Sequence, residues 1–282
     1  MDITFADIAE RYLDERVVTP TYRNNVRRIA KLVKHPTAEA VNRFLRRRSE
    51  ERSSVTVRSE RVVLVSLWRW AYESRLIEDA PRGVVRIKAR RAPTKAWTVE
   101  QLRAAIEATR KYDRKLLLSG ASKGLTLRAW LLLGYEAGSR WGDLFALRGE
   151  QIDRDTISWT QSKTGDPIVR TLSPACLEAC REMLAHSQDG TILGWAVGKR
   201  QSMRLMRQFL DEVGIGGTSK WLRRSGATHI EMAEPGKARH HLGHRTMDLA
   251  AKAYIDWTQV RRNAPKTPEL IHGGNHGGDF SS

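Results

Sequence analysis

Apolar residues recur at helical spacing along most of this chain, and that repeat is what most constrains its fold. The first example runs from Thr4 to Arg16, where one face collects Phe5, Ile8, Ala9, Tyr12 and Leu13. Three further segments follow the same pattern, so the sequence predicts four helices over Thr4–Arg16, Thr19–His35, Thr37–Glu51 and Ser53–Ile77. Residues 1–88 are therefore predicted to form a purely helical domain.

The helical repeat is interrupted in two places. Glu78–Trp97 contains Pro81, Gly83, Pro93 and several basic residues, which predicts a linker between two domains, with its basic part at residues 89–96. Asp155–Ser173 alternates between apolar and polar residues, which predicts two strands joined by a four-residue turn at Lys163–Asp166. Helical patterns resume up to about Ile255. We therefore expect a mainly α fold with a small β-sheet or hairpin in a second domain, residues 97–260, followed by a flexible tail, residues 261–282.

The charge balance indicates a polyanionic partner. The 282 residues include 49 Lys and Arg against 32 Asp and Glu, a formal net charge of +17. About half of the excess lies in residues 1–91, so the charge is spread over both predicted domains rather than held in one tail. Such an excess favours binding to nucleic acid, with contacts from both domains.

Two further features bear on where such a chain works. Cys176 and Cys180 lie four residues apart on one predicted helix face, which favours packing over a disulfide and hence a reducing, intracellular compartment. The N-terminus is acidic and amphipathic, unlike a secretory signal, and no apolar run is long enough to span a membrane. We expect a cytoplasmic, nucleoid-associated protein of bacterial, archaeal or viral origin, with no membrane partner.

Six residues with phosphate-binding or nucleophilic chemistry lie at distinctive places in the second half of the chain. They are two arginines, two lysines, a histidine and a tyrosine. Arg140 lies at a helix junction, Lys163 at a hairpin tip, and Lys220 and Arg223 on one helix face. His244 follows a glycine, and Tyr254 lies ten residues further on. A guanidinium matches two phosphate oxygens, and a tyrosine can act as a covalent nucleophile once the developing charge is neutralised. With no obvious carboxylate cluster for a metal, the set predicts a site for a phosphodiester.

Each of these side chains also has an ordinary structural interpretation when taken alone. Arg140 fits a surface arginine or helix cap, Lys163 a solvated turn, and Tyr254 a core tyrosine. His240 and His241 are adjacent and point to different sides of a helix, so they are interpreted as structural residues or phosphate contacts. The combination of all six in one chain favours the functional interpretation.

The order and local sequence of these residues resemble the tyrosine recombinase (phage integrase) family. The matching stretches are "GSRWGDLFALRGEQID", "QSKTG", "KWLRRSGATHI" and "HLGH", followed by the nucleophile, and they place the family's residues at Arg140, Asp143, Lys163, Arg223, His244 and Tyr254. One position departs from the family, which has histidine where this chain has Lys220. At that position the chain resembles the type IB topoisomerases, which carry lysine there.

The resemblance implies an architecture and an activity. The fold would combine a helical, SAM-like core-binding domain with a tyrosine recombinase catalytic domain, forming a C-shaped clamp around DNA. The chain would be a site-specific recombinase or integrase that cuts and rejoins DNA through a 3'-phosphotyrosyl intermediate, without ATP or metal. A type IB topoisomerase-like relaxing enzyme and a catalytically inactive DNA-binding protein are the alternatives.

The resemblance also assigns roles to the site residues. Arg140 and Arg223 would grip the scissile phosphate, Asp143 would hold the Arg140 guanidinium, and Tyr254 would attack the phosphorus. Lys163 would protonate the leaving 5'-oxygen, while Lys220 and His244 would supply further hydrogen bonds.

The expected partner is double-stranded DNA carrying specific recombination sites. The protein is expected to be a monomer in solution and to form a homotetramer on the DNA. Basic residues of both domains are expected to contact that DNA, namely Arg58, Arg61, Arg69, Lys88, Arg90, Arg91 and Arg224. Little sequence precedes the first helix, so no separate arm-binding domain is expected.

Overall fold

A computed structural model describes residues 3–90, 92–244 and 247–262. The chain divides into two compact units, Met1–Ala92 and Pro93–Ser282, and the division falls inside the predicted linker. The described residues are mostly helical with one small antiparallel sheet, so the predicted fold class is confirmed. Arg91 and residues 263–282 of the predicted tail lie outside the described residues.

The first unit contains four helices, α1 (Phe5–Asp14), α2 (Pro20–Ala30), α3 (Ala38–Glu51) and α4 (Ser54–Glu73). Each begins after a hydroxyl side chain that accepts a hydrogen bond from an otherwise unpaired backbone N–H of the first turn, at Thr4, Thr19, Thr37 and Ser53. Their apolar faces meet in one core, with Phe5, Ile8, Leu13, Leu45 and Leu64 fully buried.

Two predicted helices in this unit are shorter than their apolar patterns suggest. The prediction extended α2 to His35 and α4 to Ile77, whereas the helices end at Ala30 and Glu73. After α4 the backbone of Arg75 turns into the left-handed region at φ 56°, which ends the helix while Leu76 and Ile77 still pack against the core. Residues beyond the helix end that still pack on the core therefore continue the apolar spacing, and for this reason the sequence predicts helices that are too long.

The second unit surrounds a buried helix. Its helices are α5 (Val99–Ala108), α6 (Lys123–Glu136), α7 (Trp141–Ala146), α8 (Pro174–Ala185), α9 (Lys199–Val213), α10 (Lys220–Ala233), α11 (Ala238–Leu242), α12 (Met247–Ala253) and α13 (Trp257–Arg262), with two 3-10 turns at Thr109–Tyr112 and Gly149–Gln151. Helix α6 is apolar on nearly all sides and packs against α8 and α10. Cys176 and Cys180 are buried in this core and form no disulfide.

The sheet has one strand more than the sequence predicts. The hairpin strands β2 (Thr156–Thr160) and β3 (Pro167–Thr171) pair antiparallel, with Ser158 opposite Val169. A two-residue strand, β1 (Ile152–Asp153), adds to the other edge of β2. Two residues are too few to show alternation, which explains why the pattern did not reveal it.

Ala96 and Trp97, at the end of the predicted linker, are anchored in the second unit. The Trp97 backbone N–H donates to Ser225 Oγ at 2.9 Å and its indole donates to the Gly216 carbonyl at 3.0 Å. The ring is fully buried and packs against Trp221. In the described part of the chain, no helix has the length and apolar character needed to cross a membrane.

A buried charge pair ties α3 to α4 in the first unit. Glu60 is 1% exposed, and Arg48 donates to its two carboxylate oxygens at 3.1 and 3.0 Å. Arg28 adds a longer contact of 3.7 Å. Because a buried carboxylate is costly without its partner, the pair couples the two helices.

Replacing Arg48 should therefore destabilise the first unit. Arg48→Met keeps much of the aliphatic stem but leaves Glu60 with only the distant Arg28, and we expect a loss of about 3 kcal/mol in the free energy of unfolding. Arg43→Met is the matched control on α3, because its partner Glu39 is exposed, and it should cost less than about 1 kcal/mol. Urea unfolding measures the free energy of unfolding of both variants. Equal losses in the two variants would show that the burial of Glu60 does not affect what its ion pair contributes to stability.

Candidate active site

Arg140 occupies a sharp junction between two helices. Helix α6 ends at Glu136, Gly138 adopts a left-handed conformation at φ 58°, and Arg140 is the N-cap of α7. Its guanidinium Nη1 donates to the side-chain oxygen of Gln161, at the base of the β2–β3 hairpin. The junction therefore directs an arginine toward the hairpin instead of into the helix core.

Arg223 is the buried arginine of the site. It lies in the first turn of α10, is 5% exposed, and donates to the carbonyl oxygens of Gly138 and Leu242, the latter at 2.7 Å. Burial lowers its pKa to about 10 and the nearby charge of Arg140 acts in the same direction, whereas Tyr254 opposes the shift. At neutral pH the guanidinium therefore stays charged, and its charge is held by neutral carbonyl groups.

His244 and Tyr254 pack against Arg223. The Arg223 guanidinium carbon lies 5.0 Å from the centre of the Tyr254 ring, and the two aromatic rings are 5.1 Å apart. His244 Nε2 lies 3.3 Å from Arg223 Nη2. Burial, followed by the charges of Arg223 and Arg140, lowers the pKa of His244 to about 4, so the imidazole is neutral at pH 7 and can accept a proton or hydrogen bond.

The segment that carries Tyr254 is fixed by a polar network beneath it. Asp256 accepts hydrogen bonds from the backbone of Ala96 at 3.1 Å and of Thr258 at 3.1 Å, while its own N–H donates to Thr228 Oγ1 at 2.9 Å. Ile255 is fully buried beside it. The tyrosine thus follows α12 at a point where the chain is bound to α10 and to the end of the linker.

Gly243 lets the hairpin approach α11. It ends that helix in the left-handed conformation, at φ 62°, and a Cβ placed there would lie 2.2 Å from Ile168 Cδ1 and 2.4 Å from Gln161 Nε2. A side chain at this position would therefore push the hairpin away from α11. The glycine of the "HLGH" stretch is accordingly a close-approach residue.

The structure brings together four of the six predicted catalytic residues, Arg140, Arg223, His244 and Tyr254, and leaves two in solvent. Lys163 is exposed at the hairpin tip and Lys220 is exposed as the first residue of α10. Within the described residues, neither lysine forms a hydrogen bond with the four clustered side chains.

Asp143 does not hold Arg140, contrary to the prediction. One carboxylate oxygen of Asp143 accepts from both the backbone N–H and the hydroxyl of Ser162, at the start of the hairpin turn, while the other has no hydrogen-bond partner. Arg140 turns instead to Gln161. The Asp143 carboxylate accepts hydrogen bonds from two donors of the hairpin, so it positions the hairpin and does not form an ion pair with Arg140.

Most of the predicted DNA-contacting side chains are available to solvent. Arg58, Arg69, Lys88 and Arg90 are exposed, and Arg224 is half-buried beside Arg223. Arg61 is different, because its guanidinium donates to the carbonyl oxygens of Val84 and Val85. It anchors the segment after α4 and is therefore a structural residue as well as a basic one.

The sequence analysis missed one site residue, Gln161, and left the role of His241 open. Gln161 is 2% exposed and bonds both Arg140 and the Leu242 carbonyl, yet in the sequence it stands beside the more conspicuous Lys163. His241, considered there only as a structural residue or phosphate contact, is buried where Cβ atoms at Gly138 and Gly226 would approach its Nε2 to about 2.5 Å or less. Among the described residues, no group of His, Cys, Asp or Glu is placed to hold a metal ion.

Comparisons with known proteins agree with this architecture. The integrase of Escherichia phage P2 is 26% identical over 153 residues, a match that spans 54% of this chain but only 40% of that protein. A crystal structure of a lambda integrase dimer bound to a COC' core site has a TM-score of 0.75 at 18% identity, covering 95% of this chain and 79% of that one. The structure of the Tn1549 transposon integrase in complex with a circular intermediate DNA has a TM-score of 0.71 at 13% identity, covering 92% of this chain and 98% of that one.

The chain has the fold of these two integrases. The predicted resemblance is thus confirmed at the level of the fold, over nearly the whole described chain. No protein-family model matches the sequence. This fold brings Arg140, Arg223, His244 and Tyr254 into one cluster in a chain that is at most 26% identical to the proteins named above.

Burial of His241 makes the stability of this fold sensitive to acid. Burial, together with the charges of Arg170 and Arg223, lowers the pKa of His241 from 6.5 to about 3. Between these values the unfolded chain binds a proton that the folded chain does not, so stability should fall by about 1.4 kcal/mol per pH unit below pH 6.5.

His241→Gln removes this titration and should therefore flatten the pH dependence of unfolding. Going from pH 6.5 to pH 5, we expect the variant to lose about 2 kcal/mol less than the unmodified chain, as measured by urea unfolding. His240→Gln, at the exposed neighbouring position, should leave the dependence unchanged. If the His241 variant and the unmodified chain lose stability in parallel, His241 is not the group that senses acid.

Proposed function

We propose that the chain is a site-specific DNA recombinase of the integrase type, which cuts and rejoins DNA through a covalent 3'-phosphotyrosyl intermediate. The observation that supports this most strongly is the packing of Tyr254 against Arg223 and His244, with Arg140 joined to the same hydrogen-bond network. Within the part of the chain that the structure describes, neither arginine forms an ion pair with a carboxylate. A tyrosine packed on one such arginine, with the second close by, suits attack on a phosphodiester, because the arginines can neutralise charge on the phosphate.

The first chemical step would join Tyr254 to the 3' side of the break. The Tyr254 oxygen forms a bond to phosphorus while the bond from phosphorus to the 5'-oxygen breaks. His244, which is neutral at pH 7, would accept the phenolic proton, and Lys163 would supply a proton to the 5'-oxygen. Arg140 and Arg223 bind the non-bridging oxygens, and Lys220 adds a hydrogen bond once DNA is present.

The second step would reverse the first with a different DNA end. A 5'-hydroxyl from the partner duplex attacks the phosphotyrosine and gives its proton back to Lys163. The phosphodiester re-forms, the bond from phosphorus to the Tyr254 oxygen breaks, and Tyr254 recovers its proton from His244. The covalent link conserves the energy of the original bond, so ATP is not required. Because Tyr254 packs against Arg223 of its own chain, we propose that each subunit cleaves with its own tyrosine.

The partner would be double-stranded DNA with specific recombination sites. Residues 1–88 would act as the core-binding domain and residues 97–260 as the catalytic domain, with the basic linker following the DNA backbone. The exposed Arg58, Arg69, Lys88 and Arg90 are suited to phosphate contacts, which supply much of the affinity in such complexes. Exchange of two duplexes involves four strands, so four subunits would assemble on DNA from free monomers.

Lys220 supports one alternative, a type IB topoisomerase-like enzyme that relaxes supercoiled DNA as a monomer. A strand-exchange assay with two duplexes separates the two activities. A recombinase joins ends from different duplexes, whereas a relaxing enzyme restores each original duplex.

Tyr254→Phe should abolish covalent capture of DNA while preserving DNA binding. The ring that packs on Arg223 and His244 is kept, and only the attacking hydroxyl is lost. The measurement is the yield of a protein–DNA adduct on a nicked substrate from which the 5'-hydroxyl fragment diffuses away. An adduct of undiminished yield would transfer the nucleophile to another residue and contradict the proposed role.

The two exposed lysines should differ in their response to the leaving group. An alkoxide needs a proton to leave, whereas a thiolate leaves readily, so sulfur at the bridging 5' position removes the need for an acid. We expect Lys163→Ala to slow cleavage of normal DNA by about 10²-fold or more and to recover with the sulfur substrate.

Lys220→Ala is the comparison for that experiment. It should be slow on both substrates, because a contact to the phosphate oxygens is missing in both cases. Recovery of Lys220→Ala with sulfur, while Lys163→Ala stays slow, would reverse the two assignments.

A further inference from the structure

Gln161 connects parts of the site that the sequence places far apart. Its side-chain oxygen accepts hydrogen bonds from Arg140 Nη1 and from Thr164 Oγ1, the latter at 3.2 Å. Its side-chain nitrogen donates to the Leu242 carbonyl at 3.1 Å, and that carbonyl also accepts from Arg223 at 2.7 Å. One buried amide therefore links the guanidiniums of both arginines.

The backbone of Gln161 closes the hairpin turn that carries Lys163. Its N–H donates to the Asp166 carbonyl at 2.9 Å, and its carbonyl accepts from the Gly165 N–H at 2.9 Å. The side chain cannot shift far, because Gly243 packs directly against its amide nitrogen. The hairpin base is thus a rigid support from which the amide reaches the arginines, while the tip with Lys163 remains exposed.

An amide suits this position better than a carboxylate. A carboxylate accepting from Arg140 would form an ion pair and cancel part of the charge that the phosphate needs, and it would also face the Leu242 carbonyl without a proton to donate. The amide offers one acceptor and one donor and carries no charge. It can orient Arg140 without reducing its electrostatic attraction for an anion.

We propose that Gln161 is a positioning residue that aligns Arg140 and Arg223 on the scissile phosphate. This inference rests on the proposed function, since it assigns the alignment to a reaction at that phosphate. Gln161 itself does not touch the DNA in this role. Its effect passes through Arg140 directly and through the shared Leu242 carbonyl to Arg223.

The test uses the full chain with Gln161→Met, which keeps the length of the side chain and removes its hydrogen bonds, and Gln161→Glu, which keeps the shape and adds a charge. Gln188→Met is the control, because Gln188 is exposed in the turn after α8. Single-turnover cleavage at saturating DNA is measured on three substrates: normal DNA, DNA with a methylphosphonate at the scissile position, and DNA with sulfur at the bridging 5' position.

We expect both Gln161 variants to bind DNA like the unmodified chain but to cleave normal DNA about 10- to 100-fold more slowly, as loss of a hydrogen bond to a charged group implies. The methylphosphonate carries no charge for the arginines to neutralise, so the ratio of unmodified to variant rates should approach one on that substrate. The sulfur substrate should leave the ratio unchanged. Gln188→Met should match the unmodified chain throughout.

Three results would overturn the inference. Normal cleavage by Gln161→Met would show that the amide is dispensable. Equal slowing on all three substrates would indicate a general structural role, and recovery with sulfur alone would show that Gln161 acts through Lys163. If urea unfolding shows that Gln161→Met does not fold, the rate ratios of Gln161→Glu on the three substrates test the inference in its place. Failure of the unmodified chain to form an adduct through Tyr254 would instead refute the proposed function.

Discussion

The carbonyl oxygen of Leu242 accepts hydrogen bonds from both Arg223 and Gln161, and the geometry of the site depends on this shared acceptor. Through it, the buried arginine of α10 and the hairpin base are fixed to the same point at the end of α11. Arg140 joins the network through Gln161. Among the described residues, both guanidiniums donate to carbonyl or amide oxygens, Arg223 also contacts His244, and neither forms an ion pair with a carboxylate. Asp143 is bound to Ser162 through one oxygen, and its charge acts on Arg223 without direct contact. Two positive charges held this close are costly for the protein alone, and a bound anion would lower that cost.

Those acceptors are available because helices end where they do. Leu242 is the last residue of α11, so its carbonyl has no partner within the helix, and Gly138 lies between the end of α6 and the start of α7. The left-handed conformations of Gly138 and Gly243 create these endings. Arg223 thus donates hydrogen bonds to two carbonyl oxygens that would accept from backbone N–H groups if the helices were longer. The glycines of the "AGSR" and "HLGH" stretches stand beside functional residues for this reason.

Much of the fold could be predicted from the sequence, whereas the contacts of the site could not. The four helices of the first unit follow from apolar spacing and hydroxyl caps, and the β2–β3 hairpin follows from alternation around Gly165. The prediction failed for Asp143, because sequence spacing shows that it lies one turn from Arg140 but not that Ser162 offers two donors to its carboxylate. Gln161 was missed for a related reason. Its burial is created by α11, some eighty residues later in the chain, and nothing local distinguishes it from an exposed hairpin residue.

The contrast between arginines and lysines in the site has a physical logic. In the proposed reaction, a non-bridging phosphate oxygen carries charge throughout, so a group that binds it would gain from being fixed before DNA arrives, and the buried Arg223 is fixed in this way by two carbonyl oxygens. A leaving 5'-oxygen needs a proton only as its bond breaks. The ammonium that supplies it can wait in water, where it is well solvated, and approach with the DNA, as the exposure of Lys163 at a glycine-containing turn allows. Burying that lysine permanently beside two unpaired guanidiniums would favour its neutral form, which has no proton to give. In the proposed reaction, the positive charge that would attract the phosphate is therefore also a reason for the proton donor to stay exposed to water until the phosphate is bound.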